Sequence, residues 1–177
     1  MLSMLMARTY VASRSLKLTA LVGVALFAVG YLGMWQDTMS TLSIITVCTL
    51  ISIAIGVPLG ILMARSDGMQ TFMRPMLDIM QTKPAFVFLI PVVMLLGIGQ
   101  IQGVIAVVIY SIPPVIRLTN LGIRLVDKDI WEAADAYCLS PWKRLFKVQL
   151  PLALPTIMAG INQTIMMALA MVVIASM

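Results

Sequence analysis

The chain has 177 residues, of which 61% are hydrophobic and only 11% charged, with a mean hydropathy of +1.04. A soluble domain of this length does not need so much apolar residue, and a disordered chain carries far less. The formal net charge of +5 sits in clusters separated by long uncharged runs, which is a membrane pattern rather than a nucleic-acid-binding one. There is no His, which removes His metal sites, serine and cysteine triads and His proton relays together. Cys48 and Cys138 form neither a CxxC nor a disulfide framework, and the 16 methionines suit irregular helix–helix gaps better than a copper site.

The first apolar stretch runs from Leu16 to Trp35 behind Arg8, Arg14 and Lys17. About twenty residues at 1.5 Å each reach roughly 30 Å, enough for a span and too long for a signal-peptide core. The second span, Met39 to Ala64, is uncharged and contains Gly56, Pro58 and Gly60 in the run IGVPLG, which predicts a kink with tight packing. The stretch from Arg65 to Lys83 is mixed, and Arg74 and Asp78 stand four apart on one helical face, positioned to pair. The third apolar run, Pro84 to Gly99, is short and holds Pro91, so its helix is expected to begin upstream between Met73 and Gln81 or to run partly buried. The fourth, Ile101 to Ile116, is also short and is expected to end at Pro113-Pro114. Two short, proline-broken spans point to a bundle around a pathway. A polar segment from Leu118 to Val148 follows, and a fifth span from Pro151 to Met177. The sequence stops there without charge, turn or polar tail, as expected of a fragment.

With the N-terminus inside, all 12 basic residues fall on inner segments. The first group is Arg8, Arg14 and Lys17, and the second is Arg65, Arg74 and Lys83. Arg117, Arg124, Lys128, Lys143, Arg144 and Lys147 complete the set. The outer loops, at Gln36 to Thr38 and Gly97 to Gln102, carry none. The positive-inside rule therefore orders five spans with a cytoplasmic N-terminus.

Between spans four and five, Asp129 and Glu132 have the spacing of a capping box. Ile130, Ala133, Ala134 and Tyr137 follow as one apolar stripe. Ser140-Pro141 reads as a second helix start, with Trp142, Leu145, Phe146 and Gln149 at helical spacing and Lys143, Arg144 and Lys147 on a basic side. Two such helices serve either to dock a soluble partner or to lie along the bilayer surface.

The run Glu132-Ala133-Ala134, then Cys138, Val148 and Leu150-Pro151, resembles the EAA signature of ABC importer permeases: EAA, three residues, Gly, nine residues, Ile, one residue, Leu-Pro. Cys138 stands where that signature has Gly, which would suit a helix-ending turn, and Val148 replaces Ile conservatively. The stretches IGVPLGILMAR, MLDIMQTKPAFVFLIPVVMLLGIG, SIPPVIRLTNLGIR and FKVQLPLALPTIMAGINQTIMMALAMVVIASM are similar to the glycine betaine and proline betaine branch, of ProW and OpuA type, over roughly residues 35 to 177. Such permeases continue past this endpoint with a glycine-rich turn and a further helix.

The resemblance implies an all-α, polytopic helix bundle of the type I (MetI-like) permease fold, with about five spans in this chain. Residues 1–35 would be an N-terminal tail and first span. Residues 36–177 would be an incomplete permease domain, with a coupling segment over residues 127–150. It further implies an inner-membrane subunit that imports quaternary ammonium osmoprotectants. The partners would be a second permease copy, a cytoplasmic ATP-binding subunit holding ATP and Mg, and an extracellular or periplasmic binding protein. Glu132, Ala133 and Ala134 would lie at the ATPase contact, with Cys138, Val148, Leu150 and Pro151 completing the motif. The chain has no GxxxxGK[ST] phosphate loop, so no ATPase site, enzymatic activity or cofactor is expected within it.

Residues that meet substrate are less sharply marked. Phe86, Phe88 and Tyr110 either pack or offer ring faces to a quaternary cation. Asn162 and Gln163 in the last span either bond between helices or line a pathway, and Asp78, Gln81 and Thr82 have the same two readings. A secondary transporter is the alternative, but it would need an ionisable residue deep in a span. A non-transporting membrane scaffold, or a degenerate permease, is the other.

Overall fold

The computed structural model describes residues 24, 27, 28, 30–97, 99–127, 129, 130 and 140–175, all in helices or short turns and links. The chain divides into two compact units, Met1–Ser43 and Ile44–Met177. In the first, helical residues end at Tyr31 and the chain turns through Gly33, whose φ of +71° suits glycine. Helix α1 (Trp35–Arg65) then begins. Thr38, Thr41 and Ser43 each donate a hydroxyl hydrogen bond to the carbonyl four residues earlier, at 2.8 Å. Such bonds satisfy a polar side chain within its own helix and let it sit in an apolar span. The expected first span, Leu16 to Trp35, lies largely outside the described residues.

In the second unit, α1 continues to Arg65 and is followed by α2 (Asp67–Thr82), α3 (Phe86–Leu96) and α4 (Gln100–Arg124). A short α5 (Pro141–Arg144) leads through a π-helical turn, Leu145–Gln149, directly into α6 (Leu150–Ala175). Three stretches are long and apolar enough to cross a membrane: Trp35–Arg65, Ile101–Arg124 and Trp142–Ala175. The pair Asp67–Thr82 and Phe86–Leu96, bent by 94°, makes a fourth if it forms one span. The molecule is thus an all-α, multi-span membrane bundle. Its second, fourth and fifth expected spans correspond to these three stretches, whereas the third expected helix does not run on from Met73–Gln81 but starts anew at Phe86, after the 94° bend.

Helix α4 is central. Ala106, Val107, Ser111, Val115, Ile116, Thr119 and Ile123 are buried along it. One side meets α1, where Ile45, Cys48, Ser52, Gly56, Gly60 and Met63 recur every three or four residues. A Cβ on Gly60 would stand 2.6 Å from Thr119 Cβ and 2.8 Å from the Ile116 carbonyl oxygen, so the two backbones are nearly in contact. The tight packing expected at IGVPLG is found there, and α1 runs through Pro58 as one continuous helix. The other side of α4 meets α6. Gly160 approaches Leu118 and Val115, and Gly122 approaches Thr156 and Ala153. Small residues make such approaches possible where lipid provides little hydrophobic force between helices.

Two expected boundaries are corrected. Helix α4 does not end at Pro113-Pro114 but continues to Arg124, so Leu118 to Arg124 belongs to a span rather than to a polar connection. Both prolines are buried, and packing by α1 and α6 outweighs the lost backbone donors. At the other end the last membrane-crossing stretch does not start at Pro151 but reaches back to Trp142, joining the helix expected from Ser140-Pro141. Within the π turn the Leu150 N–H bonds to Leu145 O, five residues back. That widening makes room for the Pro151 ring, which would otherwise press on the carbonyl four residues earlier.

The break between α2 and α3 has a local cause. Lys83 precedes Pro84 and is extended (φ −86°, ψ 139°), as a residue before proline prefers. Ser66 caps α2 by accepting a bond from the Met69 N–H. Helix α3 closes on Gly97, with φ +84°, whose N–H bonds to Val93 O. No residue of α3 is fully buried, and Met94 and Leu95 are among the most exposed apolar side chains. Such a surface calls for lipid or another subunit.

Candidate functional site

The predicted coupling segment is described at its edges. Asp129 and Ile130 are helical; Glu132, Ala133, Ala134 and Cys138 lie outside the described residues. The second predicted helix start is in place, since Arg144 N–H bonds to Ser140 O at 2.9 Å and α5 opens at Pro141. The expected stripe Trp142, Leu145, Phe146 and Gln149 splits into two faces. Leu145 and Gln149 are buried, at 1% and 5% exposure, whereas Trp142 and Phe146 are exposed and stacked, with centroids 6.1 Å apart. Regular helical spacing fails here because the π turn adds a residue to the repeat.

This joint is fastened to the bundle twice. The Arg65 guanidinium, at the end of α1, lies 4.4 Å from the centroid of the Trp142 ring, a cation–π contact. Leu145 belongs to a buried cluster with Ile123 of α4 and Ala153 and Ile157 of α6, against which Val57, Ile61, Ala64 and Leu150 pack. Val148 and Leu150 are half-buried and Pro151 is exposed. The turn that follows Ser140 is therefore in contact with α1, α4 and α6 together.

The polar candidates do not form one site. Asp78 forms an ion pair with Arg117 of α4, not the expected pair with Arg74 along its own helix. An interhelical partner is held by packing of Leu77 against Ile116 beside it, whereas a pair on an exposed helix face gains only a few tenths of a kcal/mol, about 0.3–0.5. Gln81 is half-buried, and exposed Thr82 donates to Ile79 O. Asn162 and Gln163 are both exposed on α6, on the side away from its buried residues. Phe88 and Tyr110 pack at 5.9 Å between centroids, joining α3 to α4, and Phe86 is exposed.

Several polar features had no signal in hydropathy alone. Ser52 and Ser111 share a buried hydrogen bond of 2.8 Å between α1 and α4. The hydroxyls of Thr49, Thr119 and Thr164 are buried with no partner among the described residues. Arg124 bonds to Asp67 at 2.7 Å, to Met63 O and to Asn120 Oδ1, tying the start of α2 to the end of α4. The four-residue spacing of Asn120 and Arg124 was the available clue to the last of these. No group of three or more potential metal ligands occurs among the described residues.

The chain resembles curated proteins along most of its length. It is 55% identical over 154 residues to the glycine betaine/proline betaine transport system permease protein ProW of Escherichia coli (strain K12), covering 87% of this chain and 44% of that protein. To the glycine betaine/carnitine transport permease protein GbuB of Listeria monocytogenes serotype 1/2a (strain 10403S) it is 53% identical, covering 87% and 55%. To the glycine betaine transport system permease protein OpuAB of Bacillus subtilis (strain 168) it is 46% identical, covering 95% and 59%. The chain thus spans about half the length of these relatives. The family profile described as binding-protein-dependent transport system inner membrane component matches residues 56–177, from the later part of α1 onward, and the chain belongs to that family.

Proposed function

We propose that this chain is the membrane permease subunit of an ATP-driven importer of glycine betaine, proline betaine or a related quaternary ammonium osmoprotectant. The observation that carries the reading is the similarity to permeases named for those substrates over 87% or more of the chain. The EAA-type spacing from Glu132 to Pro151 adds to it. In this reading the subunit sits in the bacterial inner membrane with a cytoplasmic N-terminus, as a type I (MetI-like) permease with about five spans. Residues 1–35 are the tail and first span, and 36–177 the permease domain. A second permease copy, a cytoplasmic ATPase subunit carrying ATP and Mg, and an extracellular or periplasmic binding protein complete the transporter.

Coupling runs through residues 127–150. Glu132, Ala133 and Ala134 contact the ATPase, and Cys138 belongs to the same motif. Val148, Leu150 and Pro151 carry the motion into α6. The Leu145 cluster and the Arg65–Trp142 contact support this route, because they make the segment a lever on three helices. Closure of the ATPase then biases a bundle with two packings. Asn162 and Gln163, exposed on a span, face the pathway or the second copy, where their amides are hydrated or paired. Gln81 and Asp78 stand near its inner end.

The test is a detergent pull-down of this chain with its ATPase subunit, comparing wild type with Glu132→Ala. Recovery falling by about tenfold or more, the scale of a buried charged contact at an interface, supports the coupling assignment. Equal recovery moves the contact elsewhere. Failure of a well-folded wild type to bind any ATPase subunit overturns the importer reading for this chain.

A further inference from the structure

Where α2 meets α4, a cavity of about 270 Å³ is lined by Arg74, Arg117 and Arg124 together with Gln70, Asn120 and Leu77. Leu77 and Asn120 are 2% and 6% exposed, so the cavity has a rigid, desolvated wall. Three guanidiniums around one space is an unfavourable arrangement unless anionic charge balances it. Two carboxylates contribute, Asp78 to Arg117 and Asp67 to Arg124. They sit at the rim rather than inside, with side chains 55% and 90% exposed. Arg74 has no ion pair among the described residues, so the cavity keeps one uncompensated positive charge. The Asn120 side-chain oxygen is occupied by Arg124 Nε, while no bond occupies its amide nitrogen among the described residues, leaving a neutral donor beside the three cations.

The surroundings identify where this charge lies. Arg124 closes a membrane-crossing helix, and Arg117 is two turns, roughly 10 Å, further along it. Around α2 from the cavity, Phe72, Met76 and Ile79 expose an apolar stripe, and Leu121 does so on α4 at the cavity edge. A basic recess edged by exposed apolar side chains at the end of a span suits an anionic group at the bilayer interface. Guanidiniums favour oxyanions with several acceptors.

We propose that this recess binds a phosphate group at the membrane surface, with Arg74, Arg117 and Asn120 as donors. Exposed ion pairs are weak, so the phosphate displaces Asp78 from Arg117 without large cost. The site is independent of the transport reading, because it needs only α2 and α4 in a bilayer. Its source is either the headgroup of an anionic phospholipid or soluble phosphate.

The full chain, purified in detergent, is titrated with phosphatidylglycerol, with phosphatidylethanolamine and with inorganic phosphate, and bound ligand is counted by native mass spectrometry. Phosphatidylglycerol is expected to bind more tightly than the zwitterionic lipid. Arg74→Gln should weaken binding roughly fivefold, the scale of one basic residue at an anionic surface. Lys83→Gln, a basic side chain outside the recess, should leave it unchanged. Arg74 is exposed and has no ion pair among the described residues, so its variant is expected to fold, and circular dichroism checks this; Arg117→Gln is the second variant. Competition by millimolar inorganic phosphate supports the site and assigns a soluble source, whereas lipid binding without competition supports it and assigns the lipid. Equal binding of both lipids with none of phosphate, or equal losses in Arg74→Gln and Lys83→Gln, overturns the proposal.

Discussion

Helices α1, α4 and α6 meet through glycines and buried hydroxyls, while α2 meets the same α4 through one buried apolar contact, Leu77 on Ile116, and two ion pairs whose members are 32–90% exposed. The first kind of contact has no slack. The Gly60 backbone lies against the Ile116 carbonyl, and any separation forfeits many dispersion contacts at once. The ion pairs are loose, because an exposed guanidinium exchanges a carboxylate for water or another anion at small cost. Helix α3 continues the contrast, being joined to α4 along one side by Phe88, Leu89 and Val92 while burying no residue completely. The bundle therefore combines a closely packed three-helix unit with a bent pair joined to it by fewer buried side chains, and Pro84 and the extended Lys83 supply the bend between the pair's two helices.

Three substitutions test this contrast, beginning with the most damaging. Leu145→Ala should cost about 2–4 kcal/mol, since the side chain fills a junction of α1, α4 and α6 that cannot collapse around the gap. Titration with a denaturing detergent, followed by circular dichroism, measures it, and a cost below about 0.5 kcal/mol would mean that the π turn is not anchored. Gly60→Ala comes next. Alanine gains about 0.5–1 kcal/mol in helix propensity, but its methyl would meet a carbonyl oxygen at 2.8 Å that no rotamer change relieves. A net loss of about 1–3 kcal/mol follows, whereas Gly30→Ala, with open space around it, should be neutral or stabilising. Equal responses at the two glycines would dissolve the distinction between close and open packing. The smallest effect belongs to Asp67→Asn. Its carboxylate is 90% exposed, so the expected loss is about 0–1 kcal/mol and should shrink as salt is raised. A large, salt-insensitive loss would place α2 among the rigid elements.

Three of the spans were legible because transfer into lipid depends on composition, which a linear reading counts directly. Gly56 and Gly60 were legible as a close contact, though not their neighbours, Val115 and Thr119. The start at Ser140-Pro141 was legible because cap and proline act on the backbone within one turn. Misreadings arose where a distant element intervened. Pro113-Pro114 carries a strong local stop signal, but α1 and α6 press on both sides of that helix and keep it going. Asp78 had a same-helix partner at the right spacing, and Arg117 won because Leu77 and Ile116 hold the two helices together beside it. Of the coupling motif, Val148, Leu150 and Pro151 have described positions and the Glu132 end does not.

Membrane-spanning character, helical character, clustering of positive charge and the EAA-type spacing all followed from residue order, because each depends on solvent transfer or on separations of a few residues. The pairing of Ser52 with Ser111, the burial of Leu145 beneath three helices, the splitting of Trp142 from Gln149 and the gathering of Arg74, Arg117 and Arg124 around one cavity did not. Each of these joins positions far apart in the chain or depends on a π turn that shifts the helical repeat. Which face meets which neighbour is set by packing all the helices at once, and no separation along the chain encodes it.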